Sequence, residues 1–416
     1  MRTRGFAWLD RIRPAIGAVG AWAWIVIASL AVAVISVGGS GALTASGAPI
    51  ASAPSPGAQA EAGLPADVDP TSRNRLAIPA PDPAGGPTAA ADAIRAAGSG
   101  ANVRWDAAAG RPLLELAILI TAREHDAPFE WTLHELEALA VGLDPAVIDV
   151  VRNREPLDGL GEREATIVRA GREIFGAHRL SPETYRRAVA LFGEAGFVDI
   201  VTLMGRYAGT AARLAAFNQQ MPPGWPQLLP LPFTPPDDVD PRSRSRLEPL
   251  PAPPEITRAT PSLYGRTLSP YGTGPGQIRG HGAGRASLEA SVPRPLLDLA
   301  VLVTARAYDV QYTWTLTEPV ARENGLDPAV IEAVRDGASV AGLGEKEAAL
   351  VTFGRELFGP HTVSPATYAG AVAAVGGTTN LVDLVDLMAG HVADATLLIA
   401  FDQHLPPGRA SLLTAR

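Results

Sequence analysis

A carboxylate and an imidazole stand four residues apart in the string FEWTLH, as Glu130 and His134. On a helix that spacing puts both side chains on one face and within reach of each other. Burial beside a carboxylate can tune an imidazole toward acid/base work near neutral pH. A second acid, Glu115, opens the apolar run ELAILITAR just upstream, where a buried charge needs compensation. Arg123 at the end of that run is the expected partner for Glu115; a second role for it is to hold a substrate carboxylate through paired hydrogen bonds. Trp131 lies between the acid and the imidazole. A plainer reading stands beside this one. Glu130 and His134 would serve equally as a helix-start pair that neutralises a buried turn, and Trp131 as core.

The elements that must position these groups read as helices. RPLLELAILITAR begins with Pro112 in its first turn and is apolar nearly all round, which predicts a buried helix. A second helix covers Leu133–Val141 with Glu130 to His134 at its beginning. LDPAVIDVVRN offers an Asp-Pro start, and SPETYRRAVALFG a Ser-Pro start with Glu183 close to a capping box. GLGEREATIVRAGREIF supplies a further amphipathic helix, and FVDIVTLMGRYAGTAARLAAFNQ a long last one that stops at Met221-Pro222-Pro223-Gly224. Nothing alternates at period two for long enough to make a strand. The expected fold class is all-α.

The whole unit recurs. Arg294–Val334 aligns with Arg111–Val151 without a gap, with 24 identities in 41 positions. The match continues through GLGE at Gly342–Glu345, GRELFG at Gly354–Gly359, SPATY at Ser364–Tyr368 and LPPG at Leu405–Gly408. Two long copies predict two like bundles packed as a pseudo-dimer rather than a solenoid. Arg123 and Trp131 persist as Arg306 and Trp314, which favours structural roles, including ion pairs of the arginines with Glu115 and Asp298. Glu130 and His134 become Thr313 and Thr317, so at most the first copy is competent for proton transfer. His178 and His361 persist beside expected loop turns and read as surface residues. A shorter island, DVDPTSRNRL at Asp67–Leu76, returns as DVDPRSRSRL at Asp238–Leu247 and precedes each large copy.

Domain organisation follows: residues 1–50 as signal or membrane anchor, 51–110 as linker with the lead segment 67–76, and 111–224 as the first bundle. Residues 225–293 form a second linker with the lead segment 238–247, and 294–408 the second, degenerate bundle. Ile16–Val37 is 22 residues without a charge, preceded by Arg2, Arg4, Arg11 and Arg13. That layout fits a transmembrane helix with the domains outside, or a secretory signal cut near Ala51-Ser52-Ala53. A buried helix in a cytoplasmic protein is the alternative. The net charge of −8, with no basic run after residue 13, argues against nucleic acid as a partner. With no cysteine in the chain, disulfides, thiolate metal sites and thiol redox chemistry are all excluded. No cofactor or metal is expected: His134-Glu135-Leu136-Glu137-Ala138 lacks the second histidine of a zincin, and the Gly-rich stretch Tyr271–Arg285 lacks the Lys-Ser/Thr of a phosphate loop.

Leu113–Leu119, Thr121-Ala-Arg123, Glu130-Trp-x-x-His134, Gly159-Leu-Gly-Glu162 and Pro222-Pro-Gly224 together resemble the carboxymuconolactone decarboxylase family, which includes the alkylhydroperoxidase D-like proteins. The resemblance covers both copies. It implies AhpD-like helical bundles assembling as homo-oligomers, trimers or hexamers in the family, with a trimer of tandem pseudo-dimers as one arrangement open to this chain. In the family's peroxidase branch a Cys-x-x-Cys works between a Glu and a His. The two cysteine positions fall on Ala127 and Glu130, and on Val310 and Thr313 in the second copy, while Glu115 and His134 match the flanking acid and imidazole. Without a thiolate the peroxiredoxin chemistry is absent. The decarboxylase branch implies a small carboxylated lactone as substrate, with Glu115, Glu130 and His134 as catalytic groups and Arg123 and Trp131 as substrate contacts. A non-catalytic ligand-binding or assembly protein is the competing reading.

Overall fold

The helices begin where the sequence supplies a start. The computed structural model describes residues 63–101, 107–221, 225–231, 237–250 and 274–413, so the apolar segment Ile16–Val37 lies outside the described residues. A 3-10 turn, Pro83–Thr88, leads into α1 (Ala89–Ala96). The first repeat then supplies α2 (Arg111–Glu124), α3 (Pro128–Ala140), α4 (Pro145–Arg152), α5 (Glu162–Gly176), α6 (Pro182–Phe192) and α7 (Glu194–Ala216). Two short helices, α8 (Pro275–Arg279) and α9 (Arg285–Ser291), precede the second series. That series is α10 (Arg294–Ala307), α11 (Gln311–Glu323), α12 (Pro328–Asp336), α13 (Glu345–Phe358), α14 (Pro365–Val375) and α15 (Thr378–Ala400). No strand occurs among the described residues, as the all-α expectation required. The predicted caps form: Asp144 and Asp327 accept from Ala146 N and Ala329 N at 2.9 and 2.8 Å, and Ser181 accepts from Thr184 N at 3.2 Å. Caps of this kind contribute about 1 kcal/mol each.

The all-round apolar character of α2 has its cause in its position. Every residue from Leu113 to Ala122 is buried, with α3, α5 and α7 packed about the helix. α10 holds the same place among α11, α13 and α15. Gly171 of α5 lets that helix close on α2, since a Cβ there would lie 2.6 Å from Ile120 Cγ1.

The two repeats meet along α7 and α15. Gly205 and Gly209 face the α15 backbone so closely that added Cβ atoms would lie 2.9 Å from Ala393 O and 2.7 Å from Ala389 O. Arg213 closes the contact with an ion pair to Asp386. One consequence is an exchange of core. Leu397, Leu398 and Phe401, at the end of α15, belong to the apolar cluster built on Leu114–Ile120 and Trp131. Leu214 and Phe217, at the end of α7, belong to the cluster built on Leu296–Val303 and Trp314. Leu64–Arg416 accordingly forms one compact unit.

The two short islands secure this exchange. In the first, Asp69 accepts from the backbone N–H of Thr71 and Ser72, and Asp67 holds Arg75 at 2.9 Å. Arg75 then donates to Leu180 O of the first repeat and Ala400 O of the second, while its own N–H bonds Phe401 O. The second island does the same in mirror fashion. Asp238 holds Arg246 at 2.7 Å, and Arg246 donates to Val363 O of the second repeat and Ala216 O of the first. Each arginine lies over a tyrosine ring, Tyr185 or Tyr368. Among the described residues no single helix is long and apolar enough to cross a membrane.

Candidate functional site

α2 carries Glu115 into the first repeat's core, and α3 brings His134 against it. His134 Nδ1 lies 2.7 Å from Glu115 Oε2. A carboxylate only accepts, so Nδ1 carries the proton of that bond and Nε2 is the nitrogen left for chemistry. Glu115 is fully buried and the His134 side chain keeps 8 % of its exposure. Tyr207 of α7 meets the imidazole edge to face, with ring centroids 4.8 Å apart. Arg111, one turn before Glu115 on α2, donates to Glu115 Oε1 at 2.6 Å and reaches Glu137 Oε2 at 3.1 Å. The buried acid is thus compensated from both sides.

That arrangement corrects two expectations. The partner of Glu115 is Arg111, not Arg123. Arg123 points to the far end of α2, where it pairs with Asp126 and donates to Arg152 O at 2.8 Å. A substrate carboxylate would have to displace Asp126 to use it. Arg306 likewise pairs with Asp309, and Asp298 with Arg294. Secondly, the imidazole's carboxylate is Glu115 from the neighbouring helix, while Glu130 lies buried one turn before His134. Trp131 is wholly buried and donates its indole N–H to Glu135 at 2.6 Å, a pair repeated by Trp314 and Glu318 at 2.7 Å.

Glu115, His134 and Glu137 present donor atoms within 4.8 Å of one another. Two carboxylates and an imidazole are an apt set for a divalent ion. Here the Arg111 guanidinium bonds both carboxylates and supplies the positive charge between them. Glu137 was not singled out from sequence; its spacing of three from His134 on one helix was the available signal.

The second repeat keeps an acid but moves the imidazole. Asp298 is held by Arg294 at 2.9 Å and by Asn324 Nδ2 at 2.7 Å. Thr317 takes the place of His134, and His391 takes the α15 position that Tyr207 holds on α7. Thr317 Oγ1 and His391 Nδ1 are both buried without a hydrogen-bond partner. Burial, and then the charge of Arg285, push the His391 imidazole down to about 4.

A second cluster lies where the repeats meet, and it includes His178 and His361, both half-buried in loops. His125 donates from Nδ1 to Thr121 O at 2.8 Å, so its Nε2 accepts from Tyr308 Oη at 3.1 Å. His125 and Tyr308 are equivalent positions, 183 residues apart. A symmetric dimer of single repeats would place like residues there; duplication lets an imidazole meet a phenol. His361 packs on His125 with centroids 5.4 Å apart, and His178 on Tyr308 at 5.6 Å. Burial, reinforced by His361, drives His125 down to about 3, and burial also lowers His361. Beside this cluster is a cavity of about 450 Å³ lined by His125, Asp126, Phe129, Leu214, Asn218 and His361 among others. Glu115, Glu130 and His134 do not line it. In comparison with known proteins, the chain matches no family model, no curated protein and no solved structure.

Proposed function

We propose that this chain is a carboxymuconolactone decarboxylase-like protein, two tandem AhpD-like bundles forming a pseudo-dimer, with a cysteine-independent proton-transfer site in the first repeat. The observation that carries the reading is the 2.7 Å bond between His134 Nδ1 and Glu115 in a buried setting. A carboxylate behind an imidazole sets its tautomer and stabilises the imidazolium, leaving Nε2 to exchange a proton with substrate. On a small carboxylated lactone the carbon–carbon bond to the carboxylate breaks and CO2 departs. The electron pair stays on the ring carbon, which takes a proton from Nε2 of the His134 imidazolium, and solvent returns a proton to that nitrogen before the next turnover. Glu115 stabilises the imidazolium, and Glu130 is a second buried acid on α3, the helix of His134. An isomerisation would use the same nitrogen first as base and then as acid.

Export or membrane tethering through Ile16–Val37, and assembly into a homo-oligomer, complete the proposal. They are supported by the 22 uncharged residues behind four arginines and by the resemblance, respectively. A second reading, a non-catalytic ligand-binding protein, is favoured by one observation: the cavity of about 450 Å³ does not include the dyad. The test is turnover of carboxymuconolactone by the full chain, with His134→Ala as control. CO2 release that His134→Ala abolishes, with circular dichroism unchanged, supports the enzyme. A folded wild type without turnover favours the binding reading.

A further inference from the structure

We propose that the cavity between the repeats is a binding site for one small, uncharged, partly apolar molecule that bears a carbonyl or hydroxyl oxygen, with His361 as its polar recognition residue. This site is separate from the Glu115–His134 dyad and does not rest on it.

A volume of about 450 Å³ falls within the range of small-molecule sites. Such sites are mostly apolar with a few placed polar groups, and this wall has that make-up. Ala127, Phe129, Leu214, Met221 and Leu231 give the apolar surface. Among the described residues no lysine or arginine lines it, and the one acid that does, Asp126, is already paired with Arg123. An anion would find no counter-charge there, and a cation would have to compete with Arg123. Burial keeps both histidines of the wall neutral at pH 7.

Most polar groups of the wall are committed to the protein. Gln219 donates to Gln220 O, Ser243 O and Arg244 O and accepts from Gly274 N. Gln220 donates to Asn218 O and Oδ1. His125 uses both ring nitrogens, on Thr121 and Tyr308. His361 differs. Its ring rests on His125, yet neither nitrogen makes a hydrogen bond within the described residues, and neither is among the sealed, unpartnered atoms. A neutral imidazole offers one donor and one acceptor, which suits an oxygen able to accept, donate or do both. The equivalent His178 has Asp309 at 3.7 Å, so the two sides of the repeat axis are not alike in their free polar capacity.

The experiment is a titration of the full chain, labelled with 13C and 15N in its histidine rings, with benzyl alcohol, acetophenone and δ-valerolactone as neutral probes. Benzoate and benzylammonium serve as charged counterparts. At least one neutral probe is expected to shift the His361 resonances saturably and to bind at least tenfold more tightly than either charged probe. His361→Ala should weaken that binding at least fivefold, Ala215→Trp on the cavity wall should abolish it, and His134→Ala should leave it unchanged. The proposal is overturned if no neutral probe moves His361 saturably, if a charged probe binds as well, or if binding survives His361→Ala undiminished. Should Ala215→Trp fail to fold, the wild-type shifts and His361→Ala decide alone. Failure of turnover at His134 has no bearing on any of these outcomes.

Discussion

Glu115 is the residue on which the first-repeat site depends. Its neutralisation in Glu115→Gln leaves Arg111 and His134 around an uncharged amide. Breaking a buried, multiply bonded pair of this kind costs about 3–5 kcal/mol, and denaturant unfolding should show a loss of that order. Arg111→Ala should act in the same direction. Glu115, Glu130 and His134 were each legible in the sequence, but their pairing was not: Glu115 rather than Glu130 bonds His134, and Arg111 rather than Arg123 bonds Glu115. Arg123 is eight residues beyond Glu115, about 12 Å along a helix, whereas Arg111 is one turn away at the spacing that brings side chains together. The i,i+4 spacing alone places the cation at the near end of the apolar run. Histidines give the pH dependence. His125 and His391 lie at about 3 and about 4 when folded, against an ordinary value of 6.5. Between those values the unfolded chain holds protons the folded one lacks, so stability rises with pH there. The contribution is complete above about 6.5 and is lost as pH falls from there toward 3. Thermal unfolding should show a falling midpoint from pH 7 to pH 4, with a shallower fall in His391→Phe. An unchanged slope in that variant would remove His391 from the explanation.

At the level of elements, the decisive contact is the crossing of α7 on α15. Gly209→Ala places a Cβ 2.7 Å from a backbone oxygen that cannot swing aside. Overpacking of this kind typically costs about 1–3 kcal/mol, and Gly209→Val should cost more; differential scanning calorimetry would show both. The two lead islands make a related prediction. Arg246→Ala removes bonds to Ala216 O, Val363 O and Asp238 together, so hydrogen exchange at the ends of α7 and α14 should speed up while α3 stays protected. Helix starts were legible because Asp-Pro and Ser-Pro act locally through the first turn. The role of the islands was not. Their recurrence was visible, but what an arginine bonds across hundreds of residues of chain is a property of the packed molecule.

For the molecule as a whole, the exchange of helix ends ties the repeats together. Separate chains covering 64–231 and 237–416 should each expose the apolar ends that the other covers. Each alone is expected to bind a hydrophobic dye and lack sharp unfolding, and co-expression should restore one cooperative transition. Independent folding of either piece would contradict the exchange. The duplication was plain from sequence, whereas the His125–Tyr308 meeting and the cavity beside it were not, because they exist only where two equivalent segments pack against each other. The same duplication leaves one repeat with His134 beside Glu115 and the other with Thr317 in the place of that histidine. The central claim is that His134 exchanges protons with a substrate carbon. Solvent deuterium incorporation tests it directly: the full chain is incubated with a carboxylated lactone in D2O and the ring-carbon proton signal is followed by NMR. Incorporation by wild type and by Thr317→Ala, but not by folded His134→Ala, is the predicted result. No incorporation by wild type, or an equal rate in His134→Ala, would contradict it.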